Sequence, residues 1–126
     1  MQQIDELDRY RWKERLVVIL SEDKQHPVAV RQLEALAGYE AQMKDRRLHL
    51  IHMVPGAISH DNAQWIKADP GIFTRYSRHS EPFQVLLIGL DGGVKLRRNE
   101  PVSPQFFFDL IDSMPMRQAE MRANRN

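Results

Sequence analysis

The chain has 126 residues, enough for one domain that buries roughly two-thirds of its unfolded surface and folds without a disulfide or a metal. Its 18 basic residues nearly balance 17 acidic ones, which argues against a nucleic-acid-binding protein with a basic face. The absence of cysteine excludes disulfides, thiolate catalysis and sulfur-ligated metals.

The sequence shows neither a leader nor a membrane span. The N-terminus carries acidic residues where a secretory leader has a basic start and an apolar run. The longest strongly apolar stretch, Val85 to Leu90, is far shorter than the roughly 20 residues of a membrane helix. We therefore expect a soluble chain that binds neither membranes nor nucleic acid. Its compartment stays open, since a leader removed from a longer precursor would leave the same sequence.

The first half of the chain has a strand, helix, strand pattern. Leu16 to Leu20 is an unbroken apolar run, typical of a central strand covered on both faces. Apolar residues then recur at helical spacing from Pro27 to about Asp45, and Gly38 marks close packing or a break. A second strand follows from Arg47 to Val54. This order predicts a right-handed crossover and a parallel strand pair.

The segment from Pro55 to Pro82 is too long for an unstructured loop, so we expect it to contain helix. Two helix starts are plausible. One lies at Asp61, and the other at Asp69, where Pro70 would be the first helical residue.

The last third of the chain predicts a β-hairpin and a helix. The hairpin turns at Asp91-Gly92, its second arm lies near an edge, and Leu87 of its first arm is expected in the core. Ser103 should cap a helix that begins at Pro104 and ends at Pro115. The fold class is therefore α/β, a central mixed sheet flanked by helices in the order β-α-β-(α)-β-β-α. We expect one domain over residues 1–126, with an N-terminal extension at 1–14 and a charged tail at 116–126.

This order resembles thioredoxin-like domains, and DPGIFTRYSRHSEPFQVLLIGLDGGVKL is similar to the second half of a thioredoxin or peroxiredoxin-like domain. Three further motifs, LDRYRWKERLVVIL, LLIGLDGGVKLR and DSMPMRQAEMR, resemble the DUDES-type domain of unknown function. That domain is found in bacterial proteins and in animal secreted matrix proteins. We expect this chain to belong to the bacterial branch. The resemblance covers nearly the whole chain and implies a thioredoxin-like fold, with export in some family members.

The resemblance also locates a candidate site. In redox relatives the loop after the first strand holds the reactive cysteine pair, and here that loop runs from Ser21 to His26 without a residue that can replace a thiolate. The fold's cis-proline would correspond to Pro82, and whether the Glu81-Pro82 bond is cis is left open. The residues of this candidate ligand-binding cleft are Ser21, Glu22, Asp23, Lys24, His26, Glu81 and Pro82.

The residues of this cleft suggest two kinds of chemistry, anion binding and nucleophilic catalysis. A helix N-terminus with Lys24 and His26 would attract an anion, whereas Glu22 and Asp23 oppose one. Ser21 and His26 could form a nucleophile and base, but nothing in the sequence specifies their geometry. We therefore predict no catalytic residue.

Residues outside the cleft suggest packing rather than chemistry. His49 and His52 point to opposite faces of a strand and cannot readily share one ion, so we predict no metal and no cofactor. His52 is expected to be hydrogen-bonded and partly buried. Trp12 is expected to bury its ring at the sheet's end. The C-terminal MPMRQAEMR is either a docking strip for a partner or second copy, or a helix end lying on its own domain.

The sequence thus favours a thioredoxin-like domain without thiol redox activity that acts as a binding or protein-interaction module. The alternative is an enzyme that uses Glu22, Asp23, Lys24, His26 and Glu81 in the same cleft. A third possibility is a structural subunit of an oligomer. The ligand and the oligomeric state are left open.

Overall fold

A computed structural model describes residues 6–78 and 81–124 of the chain. The first five and last two residues, which belong to the predicted extension and tail, lie outside the described part. The strands in it are β1 (Arg15–Ser21), β2 (Leu48–Val54), β3 (Ala57–His60), β4 (Ile66–Lys67), β5 (Phe83–Ile88) and β6 (Val94–Arg98). The helices are α1 (Pro27–Leu36), α2 (Glu40–Asp45), α3 (Pro70–Tyr76), α4 (Pro104–Asp112) and α5 (Pro115–Asn124), preceded by a 3₁₀ turn at Asp8–Tyr10.

The six strands form one mixed sheet in the order β4-β3-β2-β1-β5-β6. The parallel pairing of β1 with β2 is confirmed, with Leu20 opposite Met53, and β5 runs antiparallel to β1. Every residue of β1 is buried, as expected for a central strand. The predicted hairpin is confirmed as β5 and β6, with β6 at the sheet edge.

Side-chain alternation along the strands builds two apolar layers, one on each face of the sheet. Val17, Ile19 and Leu87 face the layer that contains α1 and α4. Leu16 and Val18 face the opposite layer, which contains α3. No helix in the described part of the chain is long and apolar enough to cross a membrane.

Three helices begin at a capping residue followed by proline. His26, Asp69 and Ser103 each accept a hydrogen bond from a backbone N–H in the first turn of α1, α3 and α4. Proline suits the next position because its fixed φ is helical and the missing N–H would have no partner inside the helix. The predicted starts at Asp69 and Ser103 are confirmed.

The predicted helix at Asp61 is wrong, and the segment forms the short strands β3 and β4. Asp61 and Asn62 have φ angles of 53° and 59°, and the N–H of Ala63 donates to the carbonyl of His60. Such a turn matches the twist of a hairpin, and Asp and Asn tolerate the left-handed region better than most residues. The helix predicted from Pro27 to about Asp45 is divided into α1 and α2, because α1 ends at Leu36 and Gly38 has a φ of +89°.

The burial predicted for Trp12 is also wrong, since the side chain is 62% exposed. Its backbone has a φ of 66°, and its N–H donates to the carbonyl of Leu90 at 2.6 Å. This hydrogen bond fixes the chain before β1 in a conformation that leaves the indole on the surface. Leu7 is the buried apolar residue of this segment, with Tyr10 packed against the same layer.

Helix α5 lies on its own domain through arginine side chains. The guanidinium of Arg15, which is 1% exposed, donates to both carboxylate oxygens of Glu120 at 3.1 and 3.0 Å. It also donates to the carbonyl of Arg46 at 2.9 Å. Parallel hydrogen bonds of this kind fix orientation as well as charge, so they hold α5 against the start of β1.

A second group of ion pairs completes this contact. Arg117, which is 3% exposed, donates to the carboxylates of Asp45 and Asp112 at 2.8 and 3.0 Å. Asp112 also receives two hydrogen bonds from Arg46. Partial burial opposes ionisation of Asp112, but the hydrogen bonds from Arg46 and Arg117 outweigh it and lower the pKa of this carboxyl.

Candidate functional site

The cleft predicted from the sequence lies at the carboxyl ends of β1 and β2. Ser21, the last residue of β1, is opposite Phe83 in the antiparallel pair with β5, so Pro82 lies beside this corner. The imidazole of His26 stacks on Phe83 with ring centroids 6.5 Å apart. The structure therefore brings Ser21, His26 and Pro82 to one corner, and the Glu81-Pro82 bond is trans.

The remaining predicted residues lie around this corner on the surface. Glu22, Asp23 and Lys24 are exposed. Asp23 accepts a hydrogen bond from the N–H of Gln25. Glu81 is half-buried and accepts a hydrogen bond from the side chain of Asn99 at 3.1 Å.

Lys24 places its ammonium 5.1 Å from the centroid of the Trp65 ring. An ammonium over an indole face is held by a cation–π attraction. An open recess of about 420 Å³ lies here, lined by Asp23, Lys24, Gln25 and Val54.

Ser21 is hydrogen-bonded to His52 rather than to His26. The hydroxyl oxygen of Ser21 lies 2.8 Å from Nε2 of His52, and the hydroxyl also donates to the carbonyl of Asp23 at 2.8 Å. Because the hydroxyl has one proton, donation to Asp23 leaves Nε2–H of His52 as the donor to Ser21. His26 is occupied elsewhere, since its Nδ1 accepts from the N–H of Val28 at 3.2 Å.

His52 is neutral in this environment. It is 3% exposed, packs edge-on against Trp65 at 4.9 Å between ring centroids, and burial lowers its pKa to about 4. The expectation of a hydrogen-bonded histidine is confirmed, with burial more complete than predicted. Alternation along β2 placed His52 on the face of Leu48 and Leu50, but its contact with Ser21 depends on strand register, which the sequence left undefined.

A larger cleft of about 700 Å³ lies at the opposite end of the parallel strands. Sequence reasoning missed it, because it depends on the break between α1 and α2. Its floor is aliphatic, formed by side chains from α1, α2 and the start of β2. The floor residues are Leu33, Leu36, Met43, Leu48 and Leu50.

The rim of this cleft is polar, and most of its acidic groups are already engaged. Nδ1 of His49 lies 2.8 Å from one carboxylate oxygen of Asp61, whose other oxygen accepts from the N–H of Leu50. Nε2 of His49 lies 3.6 Å from the carboxylate of Glu14. Glu40 accepts from the N–H of Gly38, and backbone hydrogen bonds lower the pKa of Glu40.

A third polar cluster lies on the other face of β2 and β3. The hydroxyl of Tyr10 is 2.7 Å from Nδ1 of His60, and Arg9 contacts both groups. Burial and then the nearby Arg9 charge lower the pKa of His60. His49 and His52 do lie on opposite faces, and the described residues contain no group of three or more His, Asp or Glu side chains arranged to hold a metal ion.

Together, the mixed sheet, its two helical layers and the cysteine-free corner define an α/β domain of thioredoxin-like fold. The crystal structure of reduced 2-Cys peroxiredoxin from Plasmodium vivax is similar, with a TM-score of 0.62 over 90% of this chain and 72% of that one. The two sequences are 10% identical, so the likeness concerns the fold alone. It confirms the fold class expected from the sequence.

The chain belongs to the DUF4174 family, a domain of unknown function whose model matches residues 6–120. It is also similar to coiled-coil domain-containing protein 80 of Danio rerio, at 30% identity over 134 aligned positions. The match covers 91% of this chain but 15% of that protein. The chain therefore corresponds to a small part of that relative.

Proposed function

We propose that this domain acts by binding, without catalysis, and that Ser21 and His52 at its thioredoxin-like corner have a structural role. The observation that carries the proposal is the hydrogen bonding of Ser21, whose proton is donated to a backbone carbonyl. A serine nucleophile needs a base that accepts its proton and a third group that orients the base. Here His52 donates to Ser21 instead, and no thiol is present to supply redox chemistry.

The binding role is supported by the large cleft at the other end of β2. A volume of about 700 Å³ lies within the roughly 300–1,000 Å³ typical of ligand sites, and an apolar floor with a polar rim is the usual composition of such sites. The residues that line it include no serine or threonine, and the described part of the chain contains no group of three or more His, Asp or Glu side chains arranged to hold a metal ion.

Native mass spectrometry of the chain purified from its own cells tests this role. We expect a non-covalent small molecule or protein partner that remains bound at fixed stoichiometry and is released unchanged on denaturation. Protein that retains nothing, even after dialysis against an extract of the same cells, would contradict a binding role.

The corner formed by Ser21, Glu22, Asp23, Lys24, His26, Glu81 and Pro82 is a second candidate binding site. The recess beside Lys24 and the cation held over Trp65 favour it. The test is to replace Lys24 and His26 with alanine. If the affinity for every retained ligand is unchanged, the ligand binds elsewhere.

Some finer assignments are also part of this proposal. We propose that the chain belongs to the bacterial branch of the DUDES-type domains, and the support for this is the three sequence motifs that resemble that family. We further propose that it works as a soluble domain, without membrane or nucleic-acid contact, in the periplasm if a leader is removed. A partner or second copy would contact the C-terminal segment through exposed residues such as Met116.

A further inference from the structure

We propose that the cleft between α1, α2 and the start of β2 binds an aliphatic carboxylate, an amphiphile with a hydrocarbon body and a single carboxylate head. This inference rests on the binding role proposed above and names the class of ligand and its site. It assigns the body of the ligand to the floor of the cleft and the head to the side of the rim formed by Lys44 and Arg47.

The floor fits a hydrocarbon body. Its side chains are leucine and methionine, and none of the residues that line the cleft is phenylalanine, tyrosine or tryptophan. Each methylene group moved from water onto such a surface favours binding, and methionine adapts its shape to an irregular chain. A flat aromatic ligand would find only the imidazole of His49, on the polar rim, to stack against, so the leucine and methionine floor favours an aliphatic body.

The charges of the rim favour a negative head. Asp61 and Glu14 both lie against His49, and Glu40 accepts a backbone hydrogen bond. Lys44 and Arg47 line the same cleft, yet neither has an ion-pair partner among residues 6–78 and 81–124. The rim therefore holds three carboxylates that are hydrogen-bonded or lie against His49 and two cations without an ion-pair partner, and we assign the head group to these two cations.

The position of Arg47 is fixed by its backbone. Its φ is 50°, and its carbonyl accepts a hydrogen bond from the N–H of Arg15 at 2.6 Å. Because the same rim also carries three carboxylates, we assign the ligand a head with one negative charge rather than several. A cationic head would have to compete with His49 and the backbone for those carboxylates.

Isothermal titration calorimetry of the full chain with dodecanoate tests the proposal. We expect one dodecanoate per chain, bound at least tenfold more tightly than dodecan-1-ol or dodecyltrimethylammonium, with no detectable binding of acetate. Replacing Lys44→Gln together with Arg47→Asn should weaken dodecanoate binding about tenfold, which corresponds to about 1.4 kcal/mol. Asparagine is chosen at position 47 because it tolerates the left-handed backbone.

The matched control removes two positive charges at the other end of the sheet. Lys67→Gln with Arg98→Gln changes the net charge equally, and both residues are exposed and lie outside the lining of the cleft, so dodecanoate affinity should stay at the parent value. A second pair of variants tests whether dodecanoate binds in this cleft. Ala37→Glu adds a negative charge to the lining and should weaken binding, whereas Ala41→Glu, on the exposed surface of α2, should not.

The proposal is overturned if dodecanoate does not bind, if all three head groups bind equally, or if the Lys44 and Arg47 variant binds like its control. Circular dichroism and the melting temperature of each variant show that the fold is retained. None of these outcomes would contradict the general binding role, because native mass spectrometry tests that role by detecting retained molecules of any chemical class.

Discussion

The hydroxyl of Ser21 and Nε2 of His52 lie 2.8 Å apart on one face of two neighbouring parallel strands, in a corner closed to solvent. Both residues are at least 97% buried, with exposures of 1% and 3%. A buried polar pair of this kind is stable while both groups are neutral and hydrogen-bonded. Protonation of His52 would place an uncompensated charge there.

This relationship predicts a pH dependence of stability. Burial lowers the pKa of His52 to about 4, below its unfolded value near 6.5, so the unfolded chain binds more protons between these values. The contribution of neutral His52 is therefore complete above about pH 6.5, falls as the pH drops to about 4, and amounts to about 3 kcal/mol. Urea unfolding measured across this range should show the decline.

Two variants separate His52 from other titrating groups. His52→Gln keeps a neutral donor toward Ser21 and should flatten the decline between pH 6.5 and 4. His60→Asn removes the other histidine with a lowered pKa and should leave most of the decline in stability unchanged. An unchanged slope in His52→Gln would contradict the neutral state assigned to His52. The lowered pKa of Asp112 predicts a further loss of stability only as the pH falls below its unfolded value near 4.

Glu120→Ala should destabilise the protein by about 3 kcal/mol, because the buried guanidinium of Arg15 would lose its carboxylate partner. The midpoint of urea unfolding measures this effect. Glu34→Ala is the matched control, since Glu34 lies on the exposed surface of α1. Equal midpoints for the two variants would show that Glu120 does not hold α5 on the domain.

Leu87→Asp should prevent folding. The side chain is 0% exposed in the layer beneath α1 and α4, and burying an unpaired carboxylate costs several kcal/mol against a total stability of roughly 5–15. Val94→Asp places the same residue at a position 43% exposed and should change the melting temperature little. A Leu87→Asp protein that melts like the Val94→Asp control would contradict the strand assignment.

Contact with a second copy through α5 predicts a mass larger than one chain in light scattering. Met116→Glu should restore the monomer mass, because Met116 is 47% exposed and a charge there disfavours an apolar contact. Truncation after Pro115 is a poorer test, since it also removes Arg117 and Glu120. A monomer mass for the parent chain at all concentrations would rule out self-association through α5.

The strands and caps could be predicted because local patterns define them. The apolar run of β1, the Asp91-Gly92 hairpin and the proline that follows Ser103 each report on structure within a few residues. Gly38 was predicted to mark either close packing or a break in the helix, and the structure has the break. The burial predicted for Trp12 was wrong because it rested on hydrophobicity alone, whereas a long-range hydrogen bond to Leu90 fixes the backbone of Trp12.

The candidate site depended on contacts that local patterns do not define. The loop after β1 could be located through its expected position in the fold, and three of the predicted cleft residues, Ser21, His26 and Pro82, do meet at the corner. The Ser21–His52 pair depends on the register of β1 and β2, and the large cleft depends on the angle taken after Gly38. Asp61 reaches the cleft through a left-handed turn, whereas the local sequence pattern predicts a helix start at this residue.

The most direct test of a non-catalytic binding domain is the number of molecules converted per chain in a multiple-turnover assay. Purified protein is incubated with disulfide, peroxide and a small-molecule extract of its own cells, and substrate loss is followed by mass spectrometry. We expect retention of ligand without chemical change and less than one molecule converted per chain. Saturable conversion of many molecules per chain, lost in Lys24→Ala with His26→Ala, would contradict the account and identify the corner as an active site.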